Sequence, residues 1–287
     1  MTISVESPVR YLARPEGRIS YTVEGNGPLV VAVPGMGDLR SSYRDIVPAL
    51  VAAGYRVAVT DLRAHGGSDT SFREFGDVAT GRDVIALVEE LGGPAVLLGN
   101  SMGAAAAAWA TAERPDLIAG LVFSGPLLRD PAMGRAATGL LHLGYRGLFA
   151  GPWGASAWAG YYRSTLNRGT KAPWLDEHVA DIRASLKEPG RLAAFRHLTL
   201  QLTHAVVEPR LPQVTAPMLA FVGELDPDYR DTDAEIAWMQ SQRVQVVRVA
   251  ESGHYPHAQR PDVVLPATLD FLAQRRTADD SGWAARA

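Results

Sequence analysis

Hydrophobic positions along this chain alternate between two textures, short continuous runs and stripes at helical spacing. Leu29–Val33, Arg56–Thr60, Ala95–Leu98, Leu121–Phe123, Met218–Val222 and Val244–Val249 read as strands, most of them apolar enough to be buried on both faces. Before them, Val9–Ala13 and Arg18–Val23 flank Pro15, Glu16 and Gly17 as a hairpin-like opening. Between the runs, Tyr43, Ile46, Val47, Leu50 and Val51 make one helical stripe, and Val84, Leu87, Val88 and Leu91 make another. Thr80–Asp83 resembles a capping box for the second stripe. Small residues from Gly103 to about Thr111 predict a helix lying close to a sheet, and Val263–Leu272 predict a closing helix. Strand and helix in alternation argue for an α/β fold with a mostly parallel sheet.

The alternation stops at Gly125-Pro126. From there to about Arg210 no buried-strand run occurs, and four stretches show helical periodicity: Met133–Leu148, Trp158–Leu166, Leu175–Leu186 and Leu192–Val206. The expected organisation is therefore a core over residues 1–125 and 211–287 with a helical insertion over 126–210. The tail from Arg275, with Asp279, Asp280 and Gly282, is expected to fray. No internal repeat of solenoid or propeller length is present.

Composition narrows the function by exclusion. The 287 residues are 47% hydrophobic and 21% charged, with a net charge of -3, so there is no basic footprint for nucleic acid or an anionic membrane surface. A small-molecule partner is expected. There is no cysteine, which removes disulfides, thiolate metal sites and cysteine nucleophiles together. The opening residues lack the basic start and apolar core of a signal peptide, and no apolar stretch has transmembrane length. A cytoplasmic location and no membrane span are the expectation.

Candidate chemistry centres on Ala95–Ala105, A-V-L-L-G-N-S-M-G-A-A. Gly99-x-Ser101-x-Gly103 puts a serine at the corner between a buried strand and a helix, where the backbone is strained and residues two positions away must lack side chains. With the strand before it and the helix after it, this segment resembles the nucleophile elbow of the α/β-hydrolase fold. The resemblance implies an eight-stranded, mostly parallel sheet and a helical lid inserted after the sixth strand. It also implies the chain order serine, acid, histidine. The acid is then Asp226, in Gly223-Glu224-Leu225-Asp226-Pro227-Asp228, with Asp228 second. The histidine is His254, in Ser252-Gly253-His254-Tyr255-Pro256-His257, with His257 as rival. His65 and Asp69 precede the serine and are read as structural. The loop Pro34-Gly35-Met36-Gly37-Asp38 matches the family's oxyanion loop, with Pro34 where a histidine is usual. The resemblance makes the backbone N–H groups of Met36 and Met102 the oxyanion donors.

A serine hydroxyl needs a base and a group that orients the base. An imidazole with an ordinary pKa of about 6.5 suits that task, and an aspartate suits the second. Together these residues specify acyl transfer to water through an acyl-enzyme, on an ester, thioester or lactone. Asn100, Trp153, Trp158, Tyr161 and Tyr255 are the expected pocket residues, with Tyr162 and Trp174 as further aromatics of the insertion. An alternative starts from Asn100-Ser101-Met102-Gly103, which is similar to the elbow of carbon-carbon bond hydrolases of diketone-type substrates. Those relatives use a lid arginine, for which Arg163, Arg183, Arg191 and Arg196 are available. A non-catalytic, ligand-binding member of the fold is the reading from another class. No metal-ligand spacing, P-loop or dinucleotide fingerprint occurs, so neither a metal nor a cofactor is expected.

Overall fold

A computed structural model describes residues 7–131, 134–278 and 282–286. Strands β1 (Arg10–Arg14) and β2 (Gly17–Glu24) form the antiparallel opening hairpin. β3 (Leu29–Val33), β4 (Arg56–Thr60), β5 (Ala95–Asn100), β6 (Ile118–Ser124), β7 (Met218–Gly223) and β8 (Val244–Val249) follow. All eight share one sheet in the order β1-β2-β4-β3-β5-β6-β7-β8, and β3 to β8 pair in parallel. β2 meets β4 antiparallel.

Successive residues of the central strands serve opposite layers, as a period of two requires. Val31, Val33 and Leu97 pack into one hydrophobic cluster, while Val30, Ala32, Val96 and Leu98 pack into another. Helices cover the faces: α1 (Ile46–Ala52), α2 (Asp77–Glu90) and α3 (Met102–Glu113) lie between the early strands in the chain. Between β6 and β7 stand α4 (Arg135–Leu148), α5 (Gly154–Tyr161), α6 (Leu175–Lys187) and α7 (Arg191–Gln201). Relative to the expected helical stretches, α5 begins earlier, at Gly154 instead of Trp158, and α7 ends earlier, at Gln201 instead of Val206; Met133, the expected first residue of the first stretch, lies outside the described residues. A π-helical turn, Tyr162–Leu166, extends α5. α8 (Thr232–Ser241) precedes β8, and α9 (Pro256–Gln259) and α10 (Pro261–Thr277) follow it. Among the described residues no helix is long and apolar enough to cross a membrane.

Two local expectations need correction. Thr80–Asp83 does not cap a helix: α2 already begins at Asp77 after Gly76, whose φ of 92° breaks the chain direction first. Asp83, the expected capping acid, instead takes the guanidinium groups of Arg63 and Arg14. The tail is also anchored where fraying was expected. Trp283 is 1% exposed, donates its indole N–H to Leu29 O at 2.7 Å and stacks on Tyr55. Asp279 and Asp280 lie outside the described residues.

Because β3 to β8 run parallel, their C-terminal ends share one edge of the sheet, where open α/β folds place ligands. The oxyanion-type loop, Ser101, Asp226 and His254 leave from the ends of β3, β5, β7 and β8 respectively.

Candidate active site

β5 is fully buried to Asn100 and α3 starts at Met102, so Ser101 alone makes the corner. Its φ of 52° and ψ of -120° fall where a side-chain-bearing residue is strained. The glycines on either side are dictated by contact. A Cβ at Gly99 would stand 2.6 Å from the Ala104 backbone, and one at Gly103 would stand 2.3 Å from Val33 O. Gly35, on the facing loop, allows the same approach, since its Cβ would lie 2.9 Å from Ser101 Cβ.

Asp226 and His254 are both buried, and His254 Nδ1 lies 2.8 Å from Asp226 Oδ2. Asp228 Oδ2 is 3.5 Å from the same nitrogen, and Asp228 N–H donates to Asp226 Oδ1 at 3.0 Å. Asp226 is thus the direct partner of the ring and Asp228 the second carboxylate beside it. Ionised carboxylates only accept, so Nδ1 carries a proton and, in the neutral ring, Nε2 is the free nitrogen. Burial pulls the His254 pKa down, but the charges of Asp226 and Asp228 and the Asp226 hydrogen bond outweigh it and push it up to about 9. His257, the rival, is turned to another task. Its Nδ1 pairs with Ser124 Oγ at 2.9 Å, its ring stacks on Tyr43 at 4.6 Å, and burial pulls it down to about 4.

Ser101 and His254 line one cavity of about 630 Å³, within the range of small-molecule sites. Among the described residues no hydrogen bond joins Ser101 Oγ to His254. Met36, Trp158, Tyr161 and Tyr255 line the cavity as expected for pocket or loop residues, with Leu127, Tyr145 and Leu202 adding apolar wall. Two pocket expectations are corrected. Asn100 is fully buried beneath the site, its amide donating to Ser124 O and His254 O, so it braces the elbow against the histidine loop. Trp153 is 59% exposed at the start of α5, outside the cavity lining. None of the four arginines weighed for the diketone reading, Arg163, Arg183, Arg191 and Arg196, lines the cavity. Arg163 pairs with Asp176, Arg183 bonds Ser156, and Arg191 bonds Glu188 and Ser68 O. The arginines that do line it, Arg129 and Arg230, lie just after β6 and just before α8.

Among the described residues, the donor atoms of Asp226, Asp228 and His254 are the one group within 4.8 Å of one another, as metal ligands would be. Nδ1 of His254 is already engaged by both carboxylates, an arrangement that fits an oriented imidazole.

Comparison with known proteins follows this geometry. The family model described as "Alpha/beta hydrolase family" matches residues 30–267, most of the chain. The chain belongs to the α/β-hydrolase family. A pyrethroid hydrolase of Sphingobium wenxiniae is 30% identical over 105 residues, covering 36% of this chain and 38% of that protein. Human monoglyceride lipase is 30% identical over 212 residues, covering 69% of this chain and 65% of the lipase. Among solved structures, a thermophilic esterase from Thermogutta terrifontis superposes with a TM-score of 0.76 at 23% identity, covering 94% of this chain and 99% of that one.

In this α/β-hydrolase the loop after β3 is held from both sides, by His65, read from the sequence as structural, and by residues of the insertion. From the core, His65 Nδ1–H donates to Arg63 O at 2.8 Å, and Nε2 accepts the Gly37 N–H at 3.0 Å. Burial lowers the His65 pKa and keeps the ring neutral for this. From the insertion, Trp158 Nε1–H donates to Gly37 O, while Tyr162 OH and His178 Nε2 both reach the buried Asp38 Oδ1. Asp69, the other early candidate, pairs with Arg18 at the surface. Among the described residues the N–H groups of Met36 and Met102 have no hydrogen-bond partner, the second because it opens α3. Gln259 fixes the histidine loop: Oε1 accepts from Gly253 N–H, and Nε2 donates to Arg168 O and Thr170 O of the insertion. A glutamine five residues beyond the candidate histidine carries no sequence signal for that role.

Proposed function

We propose that this α/β-hydrolase is a serine hydrolase that cleaves an ester-like bond of a small molecule through an acyl-enzyme on Ser101. The observation that carries the reading is the meeting of a strained Ser101 and a carboxylate-held His254 on one cavity wall. His254 Nε2 takes the Ser101 proton as Oγ forms its bond to the substrate carbonyl carbon. The developing oxyanion is met by the N–H groups of Met36 and Met102, a contribution of ~3 kcal/mol per donor in related chemistry. Collapse breaks the bond to the leaving oxygen, which takes the proton back from His254. Water then repeats the sequence on the acyl-enzyme and frees Ser101. The Ser101–His254 hydrogen bond forms in the complex with substrate, since catalytic bonds commonly tighten there.

The insertion over residues 126–210 acts in this reading as a lid, supplying Tyr145, Trp158, Tyr161 and Leu202 to the substrate wall. The aromatic and aliphatic wall favours ester cleavage over diketone cleavage: Arg163, Arg183 and Arg191 are held by partners outside the cavity, and Arg129, the insertion arginine that lines it, is paired with Glu235.

The test is the pH dependence of kcat/KM on a p-nitrophenyl ester, because this parameter reports the free enzyme's base. His254 accepts a proton only when neutral, and its two carboxylate neighbours hold it charged up to about 9. We expect kcat/KM to climb about tenfold per pH unit and level off near that value, well above an ordinary imidazole. A plateau already reached at pH 7 contradicts the raised pKa, and no pH dependence between pH 5 and 9 contradicts His254 as base. Stability runs the opposite way. A pKa raised in the folded state stabilises the fold fully below the unfolded imidazole value, and that contribution is lost as pH rises through about 9.

A further inference from the structure

A second carboxylate-held imidazole lines the same cavity. His204 lies in the segment between α7 and β7, and its Nδ1 is 2.8 Å from Oδ2 of Asp77, the first residue of α2. The ring is 5% exposed and Asp77 2%. The backbone is fixed as well: His204 N–H donates to Asp130 Oδ1, and Thr203 Oγ1–H donates to Asp130 Oδ2. With Nδ1 committed to Asp77, Nε2 has no hydrogen-bond partner among the described residues and is the ring nitrogen left for a ligand, on a residue that lines the cavity. An imidazole and a carboxylate buried this deeply are costly relative to an apolar pair. A carboxylate on one ring nitrogen fixes the orientation and tautomer of the other, which is what a recognition group needs.

The surroundings select the guest. Five carboxylates, Asp130, Asp228, Asp231, Glu208 and Glu235, line the cavity with His204, against two arginines, Arg230 and Arg129, the latter held by Glu235 and stacked on Trp238. A carboxylate on the substrate would meet this acidic lining. A hydroxyl is suited to it, because it donates to a neutral Nε2 and accepts from a protonated one.

We propose that His204, held by Asp77, is a hydroxyl-binding subsite, so that the enzyme prefers esters bearing a hydroxyl away from the ester carbonyl. The proposal rests on the reading of Ser101 as nucleophile. It is tested with p-nitrophenyl alkanoates of six to ten carbons, each compared with its ω-hydroxy and ω-carboxy counterparts. At the best-fitting length, the ω-hydroxy ester is expected to exceed its parent by about tenfold in kcat/KM, with the ω-carboxy ester slowest. His204→Phe brings the hydroxy-to-parent ratio close to one, and His204→Gln, which keeps a donor and an acceptor, holds part of it. No hydroxyl preference at any length, or an unchanged ratio in His204→Phe, overturns the subsite. If His204→Phe fails to fold, a ratio in His204→Gln equal to that of wild type overturns it. A binding measurement separates this proposal from the reaction itself. The His204 Nε2 nitrogen resonance of the wild-type protein is followed with hexanol and with hexyl fluoride. A shift with hexanol alone supports the subsite even if no ester is turned over. No shift with hexanol, while esters are cleaved at Ser101, overturns the subsite and leaves the acyl-transfer reading standing.

Discussion

Ser101→Ala is expected to lower kcat by about 10⁴- to 10⁶-fold on any ester the protein cleaves. In the proposed reaction the hydroxyl oxygen becomes bonded to the acyl group, and no cysteine exists to replace it. Ser124 Oγ is committed to His257, and Ser41 and Ser42 stand on the loop after β3 without touching His254. What remains is the activity of the two N–H donors and of substrate positioning, which in serine triads leaves a small residual rate. Alanine bears the same backbone strain at φ 52° as serine, so the corner keeps its shape and KM moves little. The measurement is kcat and KM on purified protein whose melting temperature matches wild type. A residual kcat within tenfold of wild type contradicts the assignment.

Asp226→Asn follows at about 10⁴-fold in kcat. The asparagine amide would donate to His254 Nδ1, forcing the ring proton onto Nε2, where it faces Ser101 and can accept nothing. The second carboxylate complicates this in a testable way. Asp228 Oδ2 is already 3.5 Å from Nδ1, and removal of its neighbour leaves it the one carboxylate beside the imidazole. Asp228→Asn alone is therefore expected to cost far less in kcat while moving the kcat/KM midpoint to lower pH, because one of the charges that raise His254 is gone. The double variant is expected to fall below Asp226→Asn. Equal kcat in Asp226→Asn and wild type would show that Asp228 orients the ring instead.

The parts legible in the sequence were those governed by local chain geometry. Parallel strands buried on both faces read as unbroken apolar runs, so β3, β5, β6 and β7 were visible, and Gly99 and Gly103 were legible because a sharp corner excludes side chains. The reading of Asp226 and His254 needed the family's chain order as well, since each lies in a loop whose partner is set by the fold. What stayed hidden depends on side chains far apart in sequence. Asp77 with His204, Asp38 with His178, and Trp283 with Leu29 join segments 127, 140 and 254 residues apart. Asn100 was misplaced for the opposite reason: adjacency to Ser101 in sequence looks like adjacency to substrate. At a strand end, however, successive side chains point to opposite faces, so Asn100 points beneath the cavity. Trp153 shows that an aromatic in a helical insertion need not face inward.

The central claim is that the Ser101 hydroxyl is activated for attack on a carbonyl. A fluorophosphonate probe tests it most directly, since it forms a covalent bond only with an activated serine, and peptide mass spectrometry locates the adduct. The account predicts one adduct, on the peptide containing Ser101, forming faster as pH rises toward 9 and absent in Ser101→Ala. A wild-type protein that stays unlabelled at every pH, or an adduct on any other serine, would contradict it.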